Sequence, residues 1–192
     1  MGPWTLSYHM AGTQNFLLAL GMGEKAKVTK MLRQLMPATI AFIDAQFCAG
    51  ADIVVLADHA TGNLVGPYHY EEHLLPIHQE ITAQVGGPLI LHVCGNCSDR
   101  LELFARSGVD GYHFEWQVDS REAVGRVGNE ISLVGNINNP QALLQGTPED
   151  VFKQARYAIE AGVHIIAPEC AIPLSTPLEN LRAIVEAAME GY

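Results

Sequence analysis

The sequence has little positive charge and no long hydrophobic run. Its 192 residues include 11 lysines and arginines against 21 aspartates and glutamates, which gives a net charge of −10. Because proteins that neutralise phosphates present a basic patch, this balance argues against nucleic-acid binding. The apolar runs at residues 53–57 and 88–91 are much shorter than the roughly 20 residues of a membrane span. We therefore expect a protein that binds neither nucleic acid nor membrane.

Several motifs that would define common functions are also missing. The sequence contains neither of the glycine-rich phosphate-binding motifs GxGxxG and GxxxxGK[ST], nor the GxSxG motif of ester hydrolases. The first residues lack the basic and apolar regions of a signal peptide, so a cytoplasmic location is expected. There are only four cysteines, and in a reducing compartment such thiols serve metal binding or catalysis.

Short apolar segments alternate with helical patterns along the whole chain, and no linker-like stretch divides it. The apolar segments are typical of strands that are covered on both faces. We predict six parallel strands, at residues 4–8, 53–56, 89–92, 111–114, 132–136 and 164–167. Helices are predicted at residues 24–49 with a break near Pro37, and at 70–85, 99–106, 120–127, 148–161 and 178–189. Ser120 and Thr147 are the predicted N-caps of two of these helices. This alternation indicates an α/β fold.

Chemically distinctive side chains follow five of the predicted strands. They are His9, Asp58, His92 with Cys94, Glu115, and Cys170. Active sites of (β/α)8 barrels are built at the carboxyl ends of several strands, whereas an open sheet concentrates its site at one switch point. The pattern therefore favours a single domain of the TIM-barrel type over residues 1–192. A complete barrel has eight βα units in about 250 residues, so we expect an incomplete barrel without the first two units.

Two of the strand ends carry residue types that zinc prefers. His92 and Cys94 are two residues apart at one strand end, and Cys170 follows another. Imidazole nitrogens and thiolates are ordinary zinc ligands, and a zinc site with three protein ligands keeps a position open for chemistry. We predict a catalytic zinc ion bound by these three residues. The alternatives are buried side chains without function, or a redox pair of Cys94 and Cys97.

Two carboxylates at strand ends are the candidate catalytic residues. Glu115 is interpreted either as an exchangeable zinc ligand, as a base for an incoming group, or as a salt-bridged carboxylate at the barrel mouth. Asp58 is interpreted as a residue that binds substrate, as one that orients His92, or as the cap of the following loop.

Three further residues are predicted to bind substrate. His9 follows the first predicted strand, and Asn136 lies in the segment 135–140, whose amides can hydrogen-bond to a carboxylate or amide of a ligand. The same segment also has the composition of a simple turn. Glu169 directly precedes Cys170, so its carboxylate would influence which thiol approaches the metal.

Three histidines at positions 69, 73 and 78 belong to the predicted helix 70–85 or its edge. His69 and His73 are four residues apart and share a face of that helix. Because no third ligand accompanies them there, we expect these histidines to be exposed to solvent rather than to bind a metal.

Four segments carry a family resemblance, at residues 2–6, 91–96, 133–136 and 167–181. They look like the uroporphyrinogen decarboxylase superfamily and, within it, resemble the methylcobamide:coenzyme M methyltransferases. The resemblance implies that His92, Cys94 and Cys170 are the zinc ligands. The distantly similar cobalamin-independent methionine synthases have a glutamate near the position of Glu115, which favours its interpretation as an exchangeable ligand. Members of that family typically have about two more βα units before the first segment, and many have a glycine where Glu169 stands.

The activity implied by the resemblance is a zinc-dependent methyl transfer, as in methanogenesis. The methyl donor would be a methylcobamide, a methylated corrinoid carried on a partner protein, and the acceptor a small thiol such as coenzyme M. The alternatives are an enzyme like uroporphyrinogen decarboxylase, or a truncated zinc-binding fragment without catalysis. Since an incomplete barrel exposes strand edges, we expect a homo-oligomer or pairing with a missing N-terminal segment, and weak turnover by this chain alone.

Overall fold

The structure, a computed structural model, describes residues 1–191 and consists of short parallel strands that alternate with helices. The chain divides into two compact units. The first unit contains residues 1–93 and 102–110, and the second contains residues 94–101 together with the chain from Gly111 onward. Across residues 1–191, no helix combines the length and the apolar character that crossing a membrane requires.

The first unit packs a group of N-terminal helices beside two parallel strands. In chain order the elements are α1 Pro3–Ala11, α2 Thr13–Gly21, α3 Lys25–Cys48, β1 Val54–Ala57, α4 Pro67–His69, a π-helical turn Tyr70–Leu74, α5 Leu75–Thr82 and β2 Leu89–His92. The two strands pair in parallel, with Val54 opposite Leu89 and Ala57 opposite His92. Their carboxyl ends therefore lie side by side. The 3₁₀ turn that follows, Ser98–Arg100, belongs to the second unit, and the short helix α6, Leu101–Ala105, belongs to the first unit from Glu102 on.

The second unit contains three parallel strands and the helices that cover them. The elements are β3 Gly111–His113, α7 Ser120–Val127, β4 Ser132–Ile137, a π-helical turn Asn139–Leu144, α8 Pro148–Ala161, β5 Ile165–Pro168 and α9 Leu178–Gly191. Strand β4 is central, because it pairs with β3 on one side and with β5 on the other. A buried apolar cluster joins the end of β4 to the π-helical turn, α8 and α9.

The segment 4–8, predicted to be a strand, is instead part of helix α1. Pro3 occupies the first turn of this helix, and the Asp58 carboxylate accepts a hydrogen bond of 2.7 Å from the Thr5 N–H. A carboxylate in this position satisfies a helix N-terminus as an ordinary N-cap does, but it comes from 53 residues away. The prediction of six strands is therefore wrong at this segment, and residues 1–191 contain five. His9 lies exposed in the last turn of α1 rather than at a strand end.

The helix boundaries follow the local sequence signals with two differences. Thr147 is the N-cap of α8 as predicted, and it forms a reciprocal capping box with Asp150. Helix α7 is capped by Asp119 rather than by Ser120, because the Asp119 carboxylate accepts hydrogen bonds from two N–H groups of the first turn. Helix α3 continues through Pro37 without a break. Pro37 is exposed, so water can satisfy the carbonyl that the proline leaves without a partner.

The prediction that the histidines at 73 and 78 are solvent-exposed is wrong. His73 is 3% exposed and His78 is fully buried. His73 Nδ1 lies 3.1 Å from the Thr29 hydroxyl. The π-helical turn Tyr70–Leu74 contains more residues per turn than an α-helix, so it rotates these side chains away from the face that α-helical spacing predicts.

The buried state of His73 predicts a pH dependence of stability. Burial lowers the pKa of His73, while the nearby Glu72 raises it and Lys25 lowers it; His69 is the other ionisable ring beside it. The unfolded chain then binds a proton more readily than the folded chain, so the free energy of unfolding falls as the pH drops below about 6.5. Between about pH 7 and about pH 5, we expect His73→Asn to lose less of its free energy of unfolding than the wild type does.

Urea denaturation at the two pH values measures this difference. His9→Asn is the matched control, because His9 is an exposed histidine of the same unit. If His73→Asn and His9→Asn lose the same stability on acidification, the buried imidazole is not responsible.

Candidate metal centre

Three ligand-type side chains of the second unit lie close together, and each comes shortly after the end of a strand in the sequence. The Sγ atoms of Cys94 and Cys170, which are 76 residues apart in the sequence, lie 3.5 Å from each other. Glu115 follows β3 and offers a carboxylate oxygen, and the three ligand atoms all lie within 4.8 Å of one another. All three side chains are half-buried, and neither cysteine forms a disulfide. The structure thus brings together two predicted metal ligands and one predicted catalytic residue.

A buried carboxylate fixes the segments that carry this cluster. Glu169 accepts hydrogen bonds from the Trp116 N–H at 3.0 Å and from the Asn139 N–H at 2.8 Å. The Asn139 side chain also donates to the Ala171 carbonyl at 2.9 Å. Asn139 therefore holds the residues on both sides of Cys170. Because Trp116 is the chain neighbour of the cluster carboxylate, Glu169 connects two of the three ligand-bearing segments.

Two further contacts position the sulfur atoms. His113 Nε2 lies 2.7 Å from the Pro168 carbonyl and ties β3 to the end of β5. The thiol of Cys97, which is fully buried, donates to the Cys94 carbonyl at 3.8 Å. These contacts hold the backbone on which the two cysteines of the cluster are placed.

The cluster lacks the positive charge that would stabilise a thiolate at Cys94. Burial raises the pKa of the Cys94 thiol, and the adjacent Cys170 and Glu115 raise it further. A divalent cation would supply the missing charge, and sulfur together with carboxylate oxygen is a donor set that zinc accepts. The residues present in the second unit therefore fit a zinc ion.

In the first unit, the predicted ligand His92 ends strand β2 and is 7% exposed. Its carbonyl accepts a hydrogen bond of 3.0 Å from the Asp58 N–H. The rings of His92 and His59 make an edge contact with centroids 5.7 Å apart. His59 was not predicted from the sequence, although its position directly after Asp58 at a strand end is a signal that would have identified it. The role of His92 as a zinc ligand remains a prediction.

The predicted catalytic residue Asp58 is the centre of a buried hydrogen-bond network. Its Oδ1 accepts from the Thr5 N–H, and its Oδ2 lies 3.0 Å from His78 Nε2. On the other side of that ring, His78 Nδ1 lies 2.9 Å from the Tyr70 hydroxyl. These contacts give Asp58 a structural role in capping α1 rather than the following loop. A direct role of Asp58 in catalysis remains a prediction.

The predicted substrate-binding residues lie in different surroundings. Asn136 ends β4 with its side chain paired, since Oδ1 accepts from Ser120 Oγ at 2.7 Å and Nδ2 donates to the Val118 carbonyl at 2.8 Å. Glu169 is buried with both carboxylate oxygens on backbone N–H groups, and burial raises its pKa while those two hydrogen bonds lower it. Substrate binding by Asn136, Glu169 and His9 remains a prediction.

Removing the Glu169 carboxylate is expected to destabilise the protein. Glu169→Ala leaves the buried N–H group of Asn139 and the part-buried N–H group of Trp116 without their acceptor, which costs about 2–4 kcal/mol of unfolding free energy. Glu169→Gln keeps one oxygen acceptor and is expected to lose less. Chemical denaturation measures both values, with the exposed Glu179→Ala in α9 as the control. If Glu169→Ala loses no more unfolding free energy than this control, Glu169 does not hold the segments of the cluster together.

The fold and the cluster define a class of α/β proteins with a candidate metal centre at the carboxyl ends of parallel strands. The model of the uroporphyrinogen decarboxylase (URO-D) family matches residues 1–191. The chain belongs to this family. The family resemblance read from the sequence is thereby confirmed, and the parallel strands that alternate with helices confirm the predicted α/β fold class.

Several named relatives are similar to nearly all of this chain. A methylcobamide:CoM methyltransferase (MtaA) of Methanosarcina barkeri is 33% identical over 100% of this chain and 57% of its own length. A methylated-thiol–coenzyme M methyltransferase of Methanosarcina mazei is 32% identical over 98% of this chain and 51% of its own length. A uroporphyrinogen decarboxylase of Coxiella burnetii is 35% identical over 96% of this chain and 55% of its own length.

A solved structure, a methyltransferase from Methanosarcina mazei, matches 98% of this chain and 56% of its own chain, with a TM-score of 0.89 and 31% identity. The chain thus spans about half the length of the relatives that it matches. What those whole proteins do is therefore a proposal for this chain.

Proposed function

We propose that this chain carries the metal centre of a zinc-dependent methyltransferase, which moves a methyl group from a methylated corrinoid to a thiol such as coenzyme M. The observation that carries the proposal is the pair of thiols, Cys94 and Cys170, whose sulfur atoms lie 3.5 Å apart beside Glu115. Two relatives of the chain are named as methyltransferases acting with coenzyme M. The methylcobamide in one of these names suggests the donor, and a partner protein would carry it.

In this proposal the metal is held by Cys94, Cys170 and His92. When bound, Zn²⁺ supplies the Lewis acidity that favours the deprotonated form of an incoming thiol. Two thiolates and a neutral imidazole carry two negative charges, which balance the two positive charges of Zn²⁺. The half-buried cluster therefore takes up one further anionic sulfur with an excess of only one negative charge.

Glu115 is the residue of the cluster that can handle a proton. Its carboxylate lies within 4.8 Å of both sulfur atoms, which supports the proposal that it accepts the proton of the incoming thiol. The thiolate sulfur then forms a bond to the methyl carbon while the cobalt–carbon bond breaks. The electron pair of that bond stays on cobalt, which changes from Co(III) to Co(I), and the thiol becomes a methyl thioether.

Methyl transfer from methylcobalamin to coenzyme M tests the proposal directly. The chain is supplied with one equivalent of zinc, the corrinoid is followed by visible absorbance, and the thioether is identified by mass spectrometry. We expect zinc-dependent thioether formation, even if slow, that falls to background in Cys170→Ala. Cys48→Ala is the control, because Cys48 is an exposed cysteine at the end of α3. A rate equal to the protein-free background, or one unaffected by Cys170→Ala, would contradict the proposal.

A decarboxylase is the second candidate, because one relative at 35% identity is named uroporphyrinogen decarboxylase. Incubation with uroporphyrinogen distinguishes this candidate, since product formation there would not depend on the two thiols. Zinc binding without either reaction would identify a non-catalytic zinc-binding fragment. We favour methyl transfer, because a pair of soft sulfur ligands suits thiol activation.

We also propose that the chain associates through strand β5. This strand pairs with β4 along one edge, and no strand within residues 1–191 pairs with its other edge. Ile165 on β5 is 45% exposed, and an exposed parallel edge is a template for further pairing. The partner is a second copy or a segment supplied separately. Sedimentation equilibrium of the purified chain is expected to show a mass above that of the monomer, and a monodisperse monomer would exclude the second copy.

A further inference from the structure

The second unit contains a cavity that is lined mostly by polar side chains and includes Trp116, the residue that follows Glu115 of the metal-binding cluster. It has a volume of about 420 Å³, lies at α7 and α8, and is here named the α7–α8 cavity. Its lining includes Trp116, Asn136, Gln141, Gln154 and Tyr157. This volume falls within the range of small-molecule binding sites, and the Trp116 side chain, which is 45% exposed, offers a flat apolar wall.

Two glutamines of this cavity, Gln141 and Gln154, have their side-chain oxygens occupied and their nitrogens available. Gln154 Oε1 accepts from the Asn138 N–H at 3.0 Å, and Gln141 Oε1 faces Asn138 Nδ2 at 3.5 Å. In residues 1–191, the side-chain nitrogens of Gln141 and Gln154 have no protein partner. Each carries two N–H donors, so the α7–α8 cavity presents hydrogen-bond donors to a ligand that brings acceptor oxygens.

The charged side chains around the cavity already have ion-pair or hydrogen-bond partners, which favours a neutral ligand over an anion. Lys153 forms an ion pair of 2.6 Å with Glu149. The carboxylate of Asp119 accepts from the first turn of α7 and from the Tyr157 hydroxyl at 2.7 Å. Neutral donors beside an aromatic wall match the carbonyl oxygen and methylene groups of a carboxamide side chain.

The cavity and the metal-binding cluster share one segment of the chain. Trp116 directly follows Glu115, and its N–H donates to Glu169, the neighbour of Cys170. A molecule held against Trp116 is therefore held by the backbone that also carries the cluster carboxylate. This connection suits a methyl donor that is much larger than the methyl group, because one part of the donor can be held in the cavity while the methyl group reacts at the cluster.

We propose that the α7–α8 cavity binds a carboxamide side chain at the rim of the corrinoid methyl donor. The inference rests on the proposed function, because a corrinoid is a broad ring whose edge carries several carboxamide side chains. The amide oxygen of one such chain accepts from Gln141 and Gln154, and its methylene groups lie on the Trp116 ring.

Equilibrium dialysis with cyanocobalamin, which has the carboxamide rim but no methyl group to transfer, tests this inference on the zinc-loaded chain. Gln154→Glu and Gln141→Glu keep the oxygen that faces Asn138 and replace the donor nitrogen by a second oxygen. We expect each substitution to raise the Kd for cyanocobalamin about tenfold or more, because a lost hydrogen bond is joined by repulsion. Gln14→Glu, an exposed residue of α2, makes the same charge change and is expected to leave the Kd unchanged.

An equal Kd for wild type, Gln154→Glu and Gln141→Glu would overturn the inference, and so would absence of cyanocobalamin binding to the wild type. The dialysis requires no methyl transfer, so its result is separate from that of the activity assay. Methyl transfer with an unchanged Kd in both variants would remove the carboxamide site and leave the proposed function intact. Weakened cyanocobalamin binding in the variants, together with no methyl transfer by the wild type, would support the carboxamide site and contradict the proposed function.

Discussion

Zinc affinity is expected to fall about 100- to 1000-fold when either Cys94 or Cys170 is replaced by alanine. Binding free energies of structural zinc sites, about 10–16 kcal/mol, are shared among four ligands, so one thiolate contributes roughly 3–4 kcal/mol. The two sulfur atoms lie 3.5 Å apart, which places both within reach of a single ion. Each substitution should therefore have an effect of similar size.

Competition with a zinc-binding dye measures these affinities, with circular dichroism to confirm folding. Cys48→Ala controls for the loss of an exposed thiol. Cys97→Ala separates the two interpretations of the Cys-x-x-Cys segment, because the Cys97 thiol contacts the Cys94 carbonyl. We expect Cys97→Ala to keep zinc affinity within about tenfold of the wild type, as for a residue that supports a ligand. Loss of zinc in Cys97→Ala but not in Cys170→Ala would overturn the assigned pair.

Replacing Asp58 by alanine is expected to lower the free energy of unfolding by about 3–5 kcal/mol. The substitution removes the N-cap of α1 at Thr5 and leaves the His78 ring buried without its carboxylate. The Asp58 side chain is also packed closely against the start of α1, because a Cβ added at Gly2 would collide with it. Helix α1 should separate from the end of β1 in this variant.

Urea denaturation of Asp58→Ala, Asp58→Asn and Asp52→Ala tests this expectation. Asp58→Asn keeps an oxygen for the Thr5 N–H but loses the negative charge, so its loss of stability should be intermediate. Asp52 is exposed just before β1, and its substitution should change the free energy of unfolding by less than about 0.5 kcal/mol. Equal stability of the Asp58 and Asp52 variants would show that the buried network does not hold α1.

The parts of the fold that could be predicted from the sequence are those that local signals specify. The strand at residues 89–92 and the helices at 120–127 and 148–161 have the predicted bounds, because apolar runs and capping residues mark them. The segment at 4–8 could not be predicted, since the carboxylate that caps it is distant in the sequence. The buried positions of His73 and His78 depend on a π-helical turn, which α-helical spacing does not reveal.

The candidate site also contains features that could be predicted from the sequence and features that could not. The pairing of Cys94 with Cys170 was predictable, because both follow strands of a parallel arrangement. A carboxylate directly before a cysteine looks like a functional group in the sequence, yet the structure shows that Glu169 accepts two backbone N–H groups. The α7–α8 cavity is lined by Trp116, the end of β4, the π-helical turn and the two helices together, and no single sequence segment indicates it.

X-ray absorption at the zinc K edge on the zinc-loaded wild-type chain tests the central claim most directly. The account predicts two sulfur neighbours at about 2.3 Å together with nitrogen or oxygen neighbours at about 2.0–2.2 Å. These correspond to Cys94 and Cys170, with His92 and an exchangeable ligand completing the set. A spectrum with only nitrogen and oxygen neighbours, or with more than two sulfur neighbours, would contradict the assigned metal centre.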